Sequence, residues 1–229
     1  MNNHGRITCA DLVAAGVALT LVLGTLYLYI EPRTSRKGTI TKAISNCRQI
    51  ITAMRIYSAD HGGKYPDAFL THPQNSNEVF RVLFKERYTD DEMIFGSPVS
   101  PYVPDGNLSH GPDYSKALEA GENHWAMTTG LSDAMSGHIP LVYENPVSSS
   151  LPPKWNPSAK GTNTPGRAWS TGIIVGLNDG SVSIRPLESK SGTSVGLAKE
   201  EDGKDLFGAA LDPVKFPERR MLDILREGK

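Results

Sequence analysis

Residues 11–60 read DLVAAGVALTLVLGTLYLYIEPRTSRKGTITKAISNCRQIITAMRIYSAD, and two patterns meet in them. Leu12–Ile30 contains no charge, and the acids Asp11 and Glu31 bound it. Nineteen such residues at a helical rise of ~1.5 Å give roughly 28 Å, about one bilayer core, which predicts a membrane-spanning helix. Beyond it, Ile40, Ala43, Ile44, Cys47, Ile50, Ile51, Met54 and Tyr57 form one apolar stripe at helical period. Lys42, Arg48, Gln49 and Arg55 fall on other faces, so an amphipathic helix that a globular domain packs against is expected. Pro32 lacks an N–H and Gly38 adds a second weak point, predicting an interruption and a restart near Thr39. The expected division is a polar cap over 1–11, a span over 12–30, a stalk helix over 31–61 and a globular domain over 62–229.

The globular part is long enough for one domain with its own core. A formal charge of −1 gives no overall basic surface for nucleic acid. The dispersed 22 Gly and 16 Pro predict a loop-rich domain without making a low-complexity chain. Cys9 and Cys47 would stand ~57 Å apart on one helix, too far to pair within a chain. They read as small apolar side chains, with an intermolecular bridge as the alternative.

No small-x-small cleavage site follows Ile30, so the apolar run reads as an uncleaved anchor. Arg33, Arg36, Lys37 and Lys42 follow it while only Arg6 precedes it. By the positive-inside rule alone the large domain would face the cytoplasm.

Further along, Asn75 with Glu78 reads as a capping box before Val79, Phe80, Leu83 and Phe84, and Thr89 with Glu92 repeats the signature. Asp90, Asp91 and Glu92 read as helix N-terminal charge. Prolines at 98, 101, 104 and 112 predict an irregular loop over 97–113. Residues 146–166, proline-rich around Trp155, predict a second loop, wrapped on the sheet or mobile. Ile139–Tyr143 reads as a strand, and Gly172–Leu177 and Ser181–Arg185 as a hairpin closed by Asn178-Asp179-Gly180. Pro217 opens an expected last helix with Met221, Leu222, Ile224 and Leu225 inward.

Several of these residues resemble type IV pilin-like proteins, including the pseudopilins of type II secretion. The leader ending at Gly5, the acid Asp11 and the apolar-then-amphipathic helix carry the likeness. Asn46-Cys47-Arg48-Gln49-Ile50-Ile51-Thr52-Ala53-Met54-Arg55-Ile56-Tyr57 followed by Asp60-His61-Gly62-Gly63-Lys64-Tyr65-Pro66 resembles the large pseudopilin-like proteins of planctomycetes and verrucomicrobia. So do Glu92–Pro98 and the turn Asp179-Gly180, although Trp169 stands where many of those proteins carry His.

The resemblance implies an α+β, pilin-like fold: a long N-terminal membrane-plus-amphipathic helix packed on a small antiparallel sheet with long loops. It implies prepilin-peptidase cleavage between Gly5 and Arg6, followed by methylation. It also implies Asp11 as an assembly acid, facing the amino terminus of a neighbouring subunit. Here Arg6 replaces the usual Phe or Met, and Asp11 falls sixth rather than fifth in the mature chain. The implied role is a structural subunit of a pseudopilus, anchored once in the inner membrane with its C-terminal domain in the periplasm. The implied partners are other pilin-like subunits, inner-membrane components of the secretion machine and membrane lipid, without nucleic acid.

The other class of reading is a stand-alone membrane-anchored extracytoplasmic binding module, using loops 97–113 and 146–166. Enzyme chemistry has little support. The six histidines show no paired ligand spacing and read as surface or loop residues, and no phosphate loop or nucleophile elbow is present. Glu200, Asp202 and Asp205 can offer oxygens to calcium, a cofactor some pseudopilins bind, but a solvated acidic turn is the preferred reading. Trp125, Trp155 and Trp169 can line a groove for a partner or glycan, with core packing preferred.

Overall fold

A computed structural model describes residues 9–109, 111–159, 166–167, 169, 172–200, 203 and 205–227, with backbone only for helix residues 9–14 and 26–37. Among the described residues are three α-helices, α1 (Cys9–Asp60), α2 (Ser76–Lys85) and α3 (Leu206–Ala210). Five strands join them: β1 (Trp125–Thr128), β2 (Pro140–Glu144), β3 (Ile173–Leu177), β4 (Val182–Arg185) and β5 (Met221–Leu222). The strands form one antiparallel sheet in the order β4-β3-β2-β1-β5. The α+β class and the small antiparallel sheet are as expected. The chain divides into two compact units, Met1–Thr41 and Lys42–Lys229, and the second holds the sheet.

The membrane part of the expectation is corrected. Among the described residues no helix is long and apolar enough to cross a membrane. Exposed large apolar side chains run from Val17 to Leu23, inside the stretch 15–25. The membrane-plus-amphipathic helix over Leu12–Ile30, and the single-pass inner-membrane placement built on it, are therefore not supported. The expected break is also absent, since α1 continues through Pro32 and Gly38.

The amphipathic stripe is where the sequence places it. Ala43, Cys47, Ile50, Ile51, Met54 and Tyr57 are buried. They pack on β3 because Gly176 has no side chain: a Cβ there would lie 2.1 Å from Ile51 Cδ1 and 3.0 Å from Cys47 Sγ. The helix ends as Gly63 N donates to Ser58 O (2.8 Å), with Gly62 and Gly63 in the left-handed region. The other side of the sheet is covered by α3 and Trp155, whose ring lies 5.7 Å from Phe207, which meets Tyr143 edge-on at 4.7 Å. Trp125, Trp155 and Trp169 are all core residues.

The Asn75–Glu78 capping box is observed: Asn75 Oδ1 accepts from Glu78 N (3.1 Å) and Glu78 Oε2 accepts from Gln74 N (3.0 Å). At the second capping signature only a short 3-10 turn forms, Glu92–Phe95, and Asp91 caps it. The hairpin has a three-residue loop: Leu177 N donates to Ser181 O (2.8 Å), and of Asp179 and Gly180 only the glycine has positive φ.

The expected last helix is instead β5 and an extended tail. Met221 and Leu222 pair with Thr128 and Met127. Beyond them Ser76 N donates to Asp223 O (2.8 Å), Leu225 N to Asn77 Oδ1 (3.0 Å) and Gly121 N to Leu225 O (3.2 Å). A helix would withdraw these groups from the neighbours they satisfy.

Gly176→Ala is expected to lower stability by about 1–3 kcal/mol, because the packed helix must yield to the new methyl. Adding Ile51→Val removes the methyl it strikes and should recover part of the loss. Urea unfolding of the single and double variants checks this; an additive double loss would show that the collision is not the cause.

Candidate functional site

Three carboxylates from separate segments meet where the chain turns back toward β1. Glu92 opens the 3-10 turn, Asp105 lies in the proline-rich loop, and Glu122 stands just before β1. One oxygen from each lies within 4.8 Å of the others. Glu92, expected to be helix N-terminal charge, stands in the first turn of the 3-10 helix and is buried at 2% exposure. Its Oε1 accepts from Leu118 N (2.6 Å) and its Oε2 from Gly106 N (2.8 Å). Asp105 Oδ1 accepts from Asn107 N (2.7 Å), and Glu122 Oε2 from Glu119 N (2.6 Å).

Burial pushes the Glu122 carboxyl up to about 7; the Glu119 N–H opposes the shift, and the charges of Glu92, Asp105 and Glu119 add to it. Such a set of oxygens can hold a hard divalent cation. The backbone already satisfies part of each carboxylate, and Glu92 ties the loop 103–122 to the 3-10 turn at Gly106 and Leu118.

A second acid, Glu144, ends β2 without any exposure. Its Oε1 accepts from His124 Nε2 (3.1 Å) and Trp169 Nε1 (2.9 Å), and its Oε2 from Ile174 N (2.9 Å). Asn145 Nδ2 donates to His124 Nδ1 (3.0 Å), so Nε2 is the ring nitrogen that donates to Glu144. The histidines are expected on the surface or in loops; His124 lies in the loop before β1 but is buried. Burial pushes the Cys47 thiol well above its usual range, and the Glu144 charge adds to this. Cys47 is buried and free, so it serves as a small apolar side chain, inert as a nucleophile.

The other residues singled out by sequence are dispersed. Gly5 and Arg6 lie outside the described residues; Asp11 lies in α1, but its side chain is not described. Glu200 pairs with Arg185 at 3.7 Å, Asp205 caps α3 by accepting from Phe207 N (2.8 Å), and Asp202 lies outside the described residues. Asp179 Oδ1 accepts from Ser181 N (2.8 Å), which with Gly180 closes the hairpin turn, so that pair is structural. Part of the loop 146–166 lies outside the described residues; the rest is tied down where Trp155 bridges to Val195.

Sequence reasoning missed Glu122, Glu144 and His124 as site residues. His124 and Glu144 meet across 20 residues of chain, and the acids that face Glu122 come from other segments, so no spacing rule marks them.

No family model, curated protein or solved structure matches the chain.

The Glu122 shift makes stability depend on pH. Its folded value of about 7 exceeds the ordinary 4.5. The contribution is therefore fully present below about 4.5 and is lost as pH rises through about 7. Urea unfolding between pH 5 and 8 should show this decline in the native chain, and Glu122→Gln should flatten it. An unchanged slope in the variant would assign the decline to other groups.

At Glu144 the partners are all donors, so Glu144→Gln sets an amide N–H against one of them. A loss of about 3 kcal/mol is expected in the same unfolding measurement. A loss below about 1 kcal/mol would mean that the network relaxes freely.

Proposed function

We propose that the chain is a structural assembly subunit and not an enzyme, joining other copies of itself and pilin-like subunits in a pseudopilus-like fibre. The observation that carries this is the apolar surface of α1 before Gly24. Val17, Leu19, Leu21, Val22 and Leu23 are each 56–65% exposed. Large apolar side chains massed over two turns of helix mark an interaction surface.

Three features favour another helix of the same kind as the occupant. Gly16, Thr20 and Gly24 recur every four residues, and no atom lies within 4 Å of a Cβ built at either glycine. Thr20 Oγ1 donates to Gly16 O and Thr25 Oγ1 to Val22 O, both at 2.9 Å, so neither hydroxyl needs a partner outside the helix. The stretch also carries no charge that would keep a neighbouring helix in water. Small residues in such a strip let two backbones approach closely. The resemblance to pseudopilins, in which the N-terminal helices of many subunits pack together, points the same way.

The test is cysteine cross-linking and sedimentation of the full chain. Leu21→Cys should give a specific dimer on oxidation. Gly16→Leu with Gly24→Leu should abolish it while leaving the melting temperature unchanged, because neither glycine touches the folded core. A chain that stays monomeric, or that enters lipid vesicles singly without cross-linking, would overturn the assembly reading in favour of a stand-alone binding module.

A further inference from the structure

Beside α3 the domain holds a cavity of about 400 Å³ that no part of the assembly reading uses. Met135, Ile139, Leu206, Ala210 and Phe216 give it apolar walls, and Arg219 lines it. The Arg219 side chain is only 9% exposed. Its guanidinium lies over the Phe216 ring, 3.6 Å from the centroid. Nη1 donates to Ala210 O (3.1 Å), and Nη2 has only the Met135 thioether at 3.7 Å, a weak acceptor. Nε makes a long ion pair with Glu218 Oε1 at 4.0 Å, on a side chain 54% exposed, and has no hydrogen-bond partner among the described residues.

A guanidinium is always charged, and burying it with only a long carboxylate contact is costly. With Nη1 on Ala210 O and Nε toward Glu218, Nη2 is the donor left for a charge-assisted hydrogen bond to a ligand carboxylate. The other charged groups on the lining are already engaged: Glu200 pairs with Arg185 and Asp205 bonds Phe207 N. Their negative charge also disfavours a second anionic group in the ligand. Ser136 and His138 complete the polar part of the lining.

We propose that this cavity is a binding site for a monocarboxylate on a short apolar body. The carboxylate pairs with Arg219, and the apolar part lies against Ile139, Leu206 and Phe216. A free carboxylic acid and the C-terminal residue of an apolar peptide share this chemistry. The site is independent of self-assembly.

Calorimetric titration of the full chain tests it, with hexanoate, hexanamide, succinate, and a leucine-ending peptide carrying a free or an amidated C-terminus. Saturable binding of hexanoate or of the free-carboxylate peptide is expected, and which of the two binds more tightly identifies the source. Hexanamide, succinate and the amidated peptide should each bind at least about tenfold more weakly, a loss of about 1.4 kcal/mol. Arg219→Gln should produce a similar loss. Ala209→Phe narrows the cavity while leaving Arg219 in place, and should weaken binding even if Arg219→Gln fails to fold. No saturable binding of any probe, equal binding of the amides, or unchanged affinity in the folded variants would overturn the proposal.

Discussion

At Gly176 the middle of β3 has no side chain, and Ile51 and Cys47 of α1 occupy the space one would fill. That close approach sets how deep the helix lies on the sheet, and other contacts follow from it. Arg55, one turn beyond Ile51, donates to Asn178 O at the hairpin turn. Ser58 donates to Asp133 Oδ2 (3.0 Å), and Tyr65 to Asn178 Oδ1 (2.8 Å). The helix end, the β3–β4 turn and the segment 132–135 are therefore fixed together. A helix held farther out by one methyl would strain all three, because packed interiors transmit small displacements.

The strands are only two to five residues long, so the sheet ladders satisfy few of the domain's backbone groups. Buried carboxylates supply acceptors elsewhere. Glu92 takes two N–H groups from the loop 103–122, Glu144 ties β2 to β3 and to Trp169, and Asp67 Oδ2 accepts from Gly130 N (2.8 Å). A carboxylate accepts several hydrogen bonds at once, which suits it to organising irregular backbone. The cost is sensitivity to pH, seen at Glu122, where burial first and the acid neighbours second hold the proton toward neutral pH.

The two surfaces assigned roles differ in their physics. The early part of α1 offers apolar area and small residues, which favour a flat partner of the same kind. The cavity beside α3 offers one buried cation within apolar walls, which favours a small ligand. A helix could not enter the second, and a lone carboxylate would find no partner on the first. The same chain can thus carry an assembly surface and a separate ligand site.

What the sequence determined by itself was local. The stripe from Ala43 to Tyr57, the Asn75–Glu78 cap, the strands expected at 139–143 and 172–177 (found at 140–144 and 173–177) and the Asn178–Gly180 turn all rest on periodicity or on backbone chemistry within a few residues. The α+β class follows from those pieces. Tertiary structure decided whatever depended on a distant partner. Met221, Leu222, Ile224 and Leu225 fit a helix face equally well, and only the free edge of β1 and the unpaired groups of Asn77 and Gly121 made the segment extended. Trp125–Thr128 is too short to show a period, and it became a strand because β2 and β5 flank it. Glu92 reads as helix N-terminal charge and Glu144 carries no signal, since in a sequence an acid looks the same whether its N–H donors are absent or stand 26 or 30 residues away. The apolar run before Ile30 shows the converse: composition supplies the hydrophobicity, but what covers an exposed apolar surface is settled only by the structure around it.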